Sequence, residues 1–204
     1  MQDAIPQTGG PRAAGTPYGP VLMWLVLATF TVILNETIMM NALPRLMDAF
    51  DTDARTVQWL TTAFMLTMAV VIPTTGWFLQ RVDTRTAYTL AMAVFCVGTL
   101  LASVAWAFPV LVAARVIQAA GTAIMMPLLM TTLMVIVPPE RRGQVMGLVT
   151  LAISVAPALG PTASGVILEF MSWRWIFWFV LPIAAVMTAL GRRNLPAGQA
   201  ARQG

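Results

Sequence analysis

Six uninterrupted apolar runs, at about 21–43, 58–79, 86–106, 108–136, 144–168 and 174–191, occupy most of this 204-residue chain. Each is close to or above the roughly 20 residues that an α-helix needs to cross the hydrocarbon core of a bilayer. Lipid offers the backbone no hydrogen-bond partners, so only helices or closed barrels can span it, and runs this long are helical. The links are short, which makes consecutive helices antiparallel neighbours. Composition agrees: 58% of the residues are hydrophobic and 10% charged, against about 25% charged in a soluble domain. The expected fold is therefore an all-α membrane protein, a six-helix transmembrane bundle over 21–191 between a disordered cytoplasmic tail at 1–20 and a second cytoplasmic tail at 192–204. The first run is too long for a secretory signal and lacks a small-residue cleavage site, so it reads as an uncleaved anchor.

All twelve basic residues are Arg, and all but Arg115 are spread over the links and tails. That pattern sets topology and leaves no footprint for nucleic acid. With the N-terminus inside, Arg12, Arg81, Arg85, Arg141, Arg142, Arg192, Arg193 and Arg202 are cytoplasmic, and Arg45, Arg55 and Arg174 are external. Eight against three favours a multi-pass protein of the cell membrane with both termini cytoplasmic. Trp59, Trp106, Trp173 and Trp175 fall near span ends, as interfacial anchors do. The chain has no His, which removes the usual general base, the commonest metal ligand and any Ser–His or Cys–His pair. Cys96 stands alone in an apolar run and reads as a small packed hydrophobe. Neither a metal, a cofactor nor an enzymatic activity is expected.

Two charged residues lie inside the apolar runs, Glu36 and Arg115. A charge at membrane depth costs roughly 2.5–3.5 kcal/mol on insertion scales and marks a functional site by default. Glu36 follows Asn35 and interrupts the first run about seven residues from its outer end, with Thr37 and Asn41 on the same stretch. Loss of hydration disfavours the charged form of a carboxylate, so such a residue can take up and release a proton; the alternative is a permanently protonated, hydrogen-bonded structural Glu. In the fourth run Arg115, Gln118 and Thr122 recur at helical spacing and share a polar face. Arg115 has the same offset from the same side as Glu36, so the two share a depth. Arg115 is expected to favour the ionised form of Glu36, or of a substrate carboxyl, by direct or water-bridged contact.

In the fifth run Ala156, Gly160 and Ser164 place a small residue at every fourth position, which lets a neighbouring helix come close. Pro157 and Pro161 remove two helix hydrogen bonds. The stretch is either a tightly packed static kink or, with Gly147 and Gly165, a bending and sealing element.

Taken in order, these segments resemble the amino-terminal half of a major facilitator superfamily transporter, in the fourteen-helix drug:proton antiporter branch. Leu34 to Pro44 resembles the first-helix signature L-D-x-T-I-V-N-V-A-L-P, and Leu111 to Thr122 the fourth-helix L-x-x-x-R-x-x-Q-G-x-G. Gly147 to Gly165 is similar to the antiporter signature of the fifth helix, and Trp173-Arg174-Trp175-Ile176-Phe177 to the W-R-W-I-F after it. The family's acid in the first helix is Asn35 here, with Glu36 beside it, which moves the expected proton site by one residue. In the link between spans two and three the family reads G-x-L-x-D-R-x-G-R-R. Gly76, Arg81 and Arg85 match, while the Asp is Gln80 and the turn Gly is Asp83. That Asp belongs to a charge network latching the two halves of the family's fold; here Asp83 is left to stand in for it, and Arg81 and Arg85 serve either gating or topology.

The resemblance implies two inverted three-helix repeats, alternating access, and export of a hydrophobic or cationic small molecule driven by protons. It implies proton coupling at Glu36, Asn35 and Arg115, a substrate cavity touched by Thr37, Asn41, Gln118 and Thr122, and gating or hinge roles for Gly76, Arg81, Asp83, Arg85, Pro157, Gly160, Pro161 and Gly165. Family members run to more than twice this length. A half alone is expected to expose Glu36 and Arg115 to lipid or to a partner, so a second six-helix half or a homodimer is expected beside it. The other reading is a truncated or split half acting as a membrane interaction module without transport of its own.

Overall fold

The computed structural model describes residues 18–195. Seven helices follow one another: α1 Gly19–Phe50, α2 Ala54–Val57, α3 Trp59–Leu79, α4 Thr84–Ser103, α5 Phe108–Ile136, α6 Pro139–Phe170 and α7 Arg174–Asn194. All except the single-turn α2 are long and apolar enough to cross a membrane. The expected tails lie mostly outside the described residues, as do Arg12 and Arg202. Gly19 and Pro20 at one end and Arg192 to Asn194 at the other belong to helices.

Polar and cyclic residues set the helix ends. Pro stands in the first turn of α1, α5 and α6, where its missing N–H costs nothing. Asp53 and Asp83 cap α2 and α4 through the N–H groups of Thr56, at 2.8 Å, and Thr86, at 3.3 Å. α1 ends at Asp51, whose φ of 47° and ψ of 54° lie in the left-handed region. Two helices outrun their apolar cores. α1 continues past Pro44 to Phe50, and α6 starts at Pro139 with Glu140 in its first turn. The link arginines also carry structural bonds. Arg142 donates to the carbonyls of Met134, at 2.7 Å, and Val137, at 3.0 Å, at the end of α5, and Arg174 to Ala105, at 2.9 Å, just past α4.

Because successive helices alternate in direction, α1, α3 and α4 form one repeat and α5, α6 and α7 its inverted copy. The repeats interlock. α1 packs on α6 of the other repeat as α5 packs on α3, while α4 lies against both α5 and α7, and α1 and α5 meet at the centre. α3 and α6 leave most of their surfaces uncovered.

The core divides into two apolar clusters. One gathers Leu25, Ala28 and Val32 with Tyr88, Phe95, Met125 and Leu129; the other gathers Ile38, Ala42 and Leu46 with Ala102, Leu111, Ala114 and Phe177. On α1, α4 and α5 alike, the boundary between them is polar: Asn35, Thr99, Arg115 and Gln118 are fully buried there. Close helix contact near this layer depends on glycine. A Cβ on Gly98 would come within 2.6 Å of the Gln118 nitrogen, and one on Gly121 within 2.5 Å of the Ala91 oxygen.

At the end of the bundle carrying Arg45, Arg55 and Arg174, Phe50, Phe108, Trp173 and Phe177 form an aromatic cluster with ring centroids 5.4–6.2 Å apart. Trp173 is therefore a core residue at 7% exposure, whereas Trp59, Trp106 and Trp175 are more than half exposed. The expectation that all four are interfacial anchors fails for Trp173. It begins the turn into α7, and Phe50 at the overrunning end of α1 covers it.

Candidate functional site

The polar layer is built from side chains on four helices. Arg115 of α5 forms an ion pair with Glu36 of α1 through Nη2 and Oε2, the one ion pair among the described residues. Its Nη1 donates to Gln118 Oε1 at 3.0 Å, one turn further along α5. Gln118 Nε2 in turn donates to Thr99 Oγ1 on α4 at 2.9 Å, and Thr99 donates to the Phe95 carbonyl at 2.8 Å. The guanidinium carbon lies 4.1 Å from the ring centroid of Phe64 on α3. One continuous chain of contacts thus ties α1, α3, α4 and α5 together.

Burial is unequal within the pair. The Arg115 side chain is fully enclosed, while that of Glu36 keeps 15% of its exposure. The sequence expects both on an open cavity face; for Arg115 this is corrected, because Phe64 and Gln118 cover it. Glu36 Oε1, Arg115 Nε and both amide atoms of Asn35 are buried without a partner among protein groups. An unpaired buried polar group costs about 1–3 kcal/mol, so this layer holds bonding capacity that the bundle itself does not use.

The residues expected to touch a substrate divide in two. Gln118 is fully buried and both ends of its amide are engaged inside the bundle. Thr122 is buried and donates to the Gln118 carbonyl at 3.0 Å. Thr37 is half-buried, bonds the Ile33 carbonyl, and sets its methyl against Gly160 of α6. Asn41 is exposed, with Nδ2 on the Thr37 carbonyl at 2.9 Å.

Of the residues expected to gate or bend, Ala156, Gly160 and Ser164 form the buried stripe of α6, which packs on α1. Pro157, Pro161 and Gly165 lie on its exposed side, and α6 runs unbroken through both prolines. Gly76 and Gly165 border open space. Arg81 lies over the Trp77 ring, 3.8 Å from its centroid, and Asp83 is turned to the start of α4. These side chains do not join the Glu36–Arg115 layer. Thr99 and Phe64 do join it, and the sequence reading missed both. Thr99, beside Gly98 in an apolar run, was a detectable polar interruption. Phe64 carried no local signal, because its partner lies on another helix.

Comparison with known proteins places this geometry in a family. A model of the Major Facilitator Superfamily matches residues 25–203. The chain is 47% identical over 167 residues to the uncharacterized MFS-type transporter YcnB of Bacillus subtilis, covering 81% of this chain and 35% of that protein. It is 41% identical over 172 residues to the lincomycin resistance protein LmrB of the same organism, covering 84% and 36%. With the putative multidrug resistance protein MdtD of Klebsiella pneumoniae, identity is 35% over 165 residues, covering 80% and 35%. The chain spans about a third of the length of these relatives. A bacterial homologue of the human lysosomal transporter Spinster, solved in an inward-facing and occupied conformation, shares the fold at a TM-score of 0.71 and 18% identity, covering 94% of this chain and 47% of that one. The six-helix bundle is half of a major facilitator fold, and the chain belongs to the major facilitator superfamily.

Proposed function

We propose that this bundle is one half of a proton-coupled exporter of hydrophobic or cationic small molecules, working by alternating access in the cell membrane with both termini cytoplasmic. The observation that carries the reading is the Glu36–Arg115 pair: a carboxylate and a guanidinium at membrane depth, on symmetry-related helices, with only the Glu36 side chain keeping some exposure. Arg115 is held by Gln118 and Phe64 whatever the state of Glu36. Glu36 is free to change. Deprotonated, it ties α1 to α5; on taking a proton at Oε1, which no protein group occupies, it loses its charge and releases that tie. A cationic substrate competes for the same carboxylate, which couples its binding to proton loss.

Thr37 and Asn41 extend the polar stretch of α1 towards the far end and belong to the substrate path in this reading. Asn35, Gln118 and Thr122 support the layer behind it. The uncovered apolar faces of α3 and α6, with Leu66 and Val70 on one and Leu151 and Val166 on the other, suit a second six-helix half or a second copy. Pro157, Gly160, Pro161 and Gly165 give α6 its capacity to bend against α1, and Gly76, Arg81, Asp83 and Arg85 form the cytoplasmic gate. The relatives named for lincomycin resistance and multidrug resistance support a drug-like substrate.

The test uses everted vesicles from cells expressing the full gene product that carries this chain, energised with a proton gradient. Ethidium and lincomycin uptake are compared between the wild type and Glu36→Gln. Gradient-driven uptake, with acidification partly dissipated on adding substrate, is expected for the wild type and is lost in the variant. Equal uptake in both would remove Glu36 from the coupling.

A further inference from the structure

A groove of about 870 Å³ opens outward along α4, with Arg192 of α7 at its edge and Glu36 not among its lining residues. Arg85 and Arg192 stand at its rim with Asp83, Thr89 lies one turn deeper, and Leu90 and Ala93 continue its wall. Along α4, Arg85 and Ala93 are eight residues apart, roughly 12 Å of helix. The groove is therefore cationic where α4 leaves the apolar zone and hydrocarbon-lined within it. Leu90 is 44% exposed.

Three further facts bear on what it takes. Beside it α4 and α7 are clasped together: the Tyr88 hydroxyl donates to the Met187 carbonyl at 2.7 Å, and Gly191 lies flat against the Tyr88 ring, so Arg192 is held at a fixed separation from α4. Neither Arg85 nor Arg192 lies within ion-pairing distance of a carboxylate among the described residues, since Glu36–Arg115 is the one such pair there. The Asp83 carboxylate accepts from Thr86 N–H, at the start of its own helix. Two guanidinium groups from two helices thus face one engaged acid, above an apolar wall that runs into the membrane.

We infer that this groove binds the phosphodiester headgroup of an anionic phospholipid, with Arg85 and Arg192 on the phosphate and an acyl chain along Leu90 and Ala93. Guanidinium groups suit phosphate because their N–H groups form paired, charge-assisted bonds. A basic pocket between helices at the membrane surface meets the headgroup where the acyl chain can still enter lipid. A free phosphate uses the rim alone and leaves Leu90 and Ala93 without a role.

The experiment measures lipid retention by native mass spectrometry on the purified protein, equilibrated with equal amounts of phosphatidylglycerol and phosphatidylcholine. About fivefold preference per arginine, or roughly 25-fold for the pair, is expected for the wild type. Arg85→Gln/Arg192→Gln brings the ratio close to one, whereas the charge-matched Arg45→Gln/Arg141→Gln keeps it. All these side chains are solvent-facing or at the rim, and circular dichroism checks that each variant is folded. An unchanged ratio in the groove variant overturns the assignment. Equal loss in the control pair does so too, by showing diffuse charge attraction. Inorganic phosphate binding the same arginines as tightly as the lipid would show a free-anion site and likewise overturn it.

Discussion

Replacing Glu36 by Gln leaves a full positive charge on Arg115 with no counter-charge, inside a bundle that gives it no exposure. Breaking a buried pair in this way costs about 3–5 kcal/mol. The new amide keeps an acceptor for Nη2, which offsets about 1 kcal/mol, and the contacts to Gln118 and Phe64 exist in both proteins and cancel. A loss of about 3 kcal/mol remains, roughly a 150-fold shift in the folding equilibrium. The reverse change, Arg115→Gln, is expected to be milder, because the orphaned side chain is then Glu36, which keeps 15% of its exposure, whereas Arg115 keeps none. The double variant places two amides side by side and recovers at least about 2 kcal/mol of the summed losses. Unfolding by dodecyl sulfate in mixed micelles, followed by tryptophan fluorescence, reads all four proteins. Losses that add to within about 0.5 kcal/mol would refute the reasoning, because the pair would then be hydrated and screened. So would a larger loss for Arg115→Gln than for Glu36→Gln.

The same titration tests the packing of α4 on α5. A Cβ at position 121 meets backbone atoms of α4, the Ala91 oxygen at 2.5 Å and the Phe95 nitrogen at 2.8 Å, so Gly121→Val is expected to cost about 1–3 kcal/mol or more, while Gly147→Val, which meets nothing within 4 Å, stays within about 0.5 kcal/mol of wild type. In the link between α1 and α3, hydrogen bonds from the Thr56 side chain and then its backbone N–H hold the Asp53 carboxyl below its ordinary value. A carboxyl lowered in the folded state contributes above its unfolded value, about 3.9, and that contribution disappears as the pH falls through the lowered folded value. Protection of the Thr56 amide in hydrogen exchange, corrected for the intrinsic rate, is expected to be intact at pH 5–7 and lost only as the pH falls below the ordinary carboxyl value of about 3.9 and through the lowered folded one, and in Asp53→Asn to show no such step.

What the sequence made legible follows from how far each signal travels along the chain. Span count and antiparallel order rest on local hydrophobicity and short links, and the helices fall on the six runs. The small-residue stripe of α6 could be read from its spacing alone, because a four-residue repeat defines one face; what that face touches, Thr37 on α1, could not. Equal depth brought Glu36 and Arg115 together before any coordinates, since inverted repeats place matching offsets at one level. Burial was the quantity that failed. Arg115, Gln118 and Trp173 were assigned to an open wall or an interface, yet aromatic or polar partners from other helices cover each one. Spacing reports which face a residue shares and says nothing about what closes over it.

The placement of the ion pair also follows from the interlocked repeats. Neither repeat can build the polar layer alone: Glu36, Phe64 and Thr99 come from the first, and Arg115 and Gln118 from the second. The layer interrupts what would otherwise be one apolar core. Above and below it the helices are held by close packing with no charge dependence, and at the layer they are held by a network whose one strong link depends on the charge of Glu36. A change in that charge therefore alters the join between α1 and α5 while both apolar clusters stay intact. Under the proposed proton coupling, the bundle keeps its fold through both protonation states and confines the response to the seam between its repeats. That division suits the proposed rigid-body rocking, and it sets the costly charges at the boundary of the two clusters, where a change of protonation does not break the packing that keeps the half-bundle together.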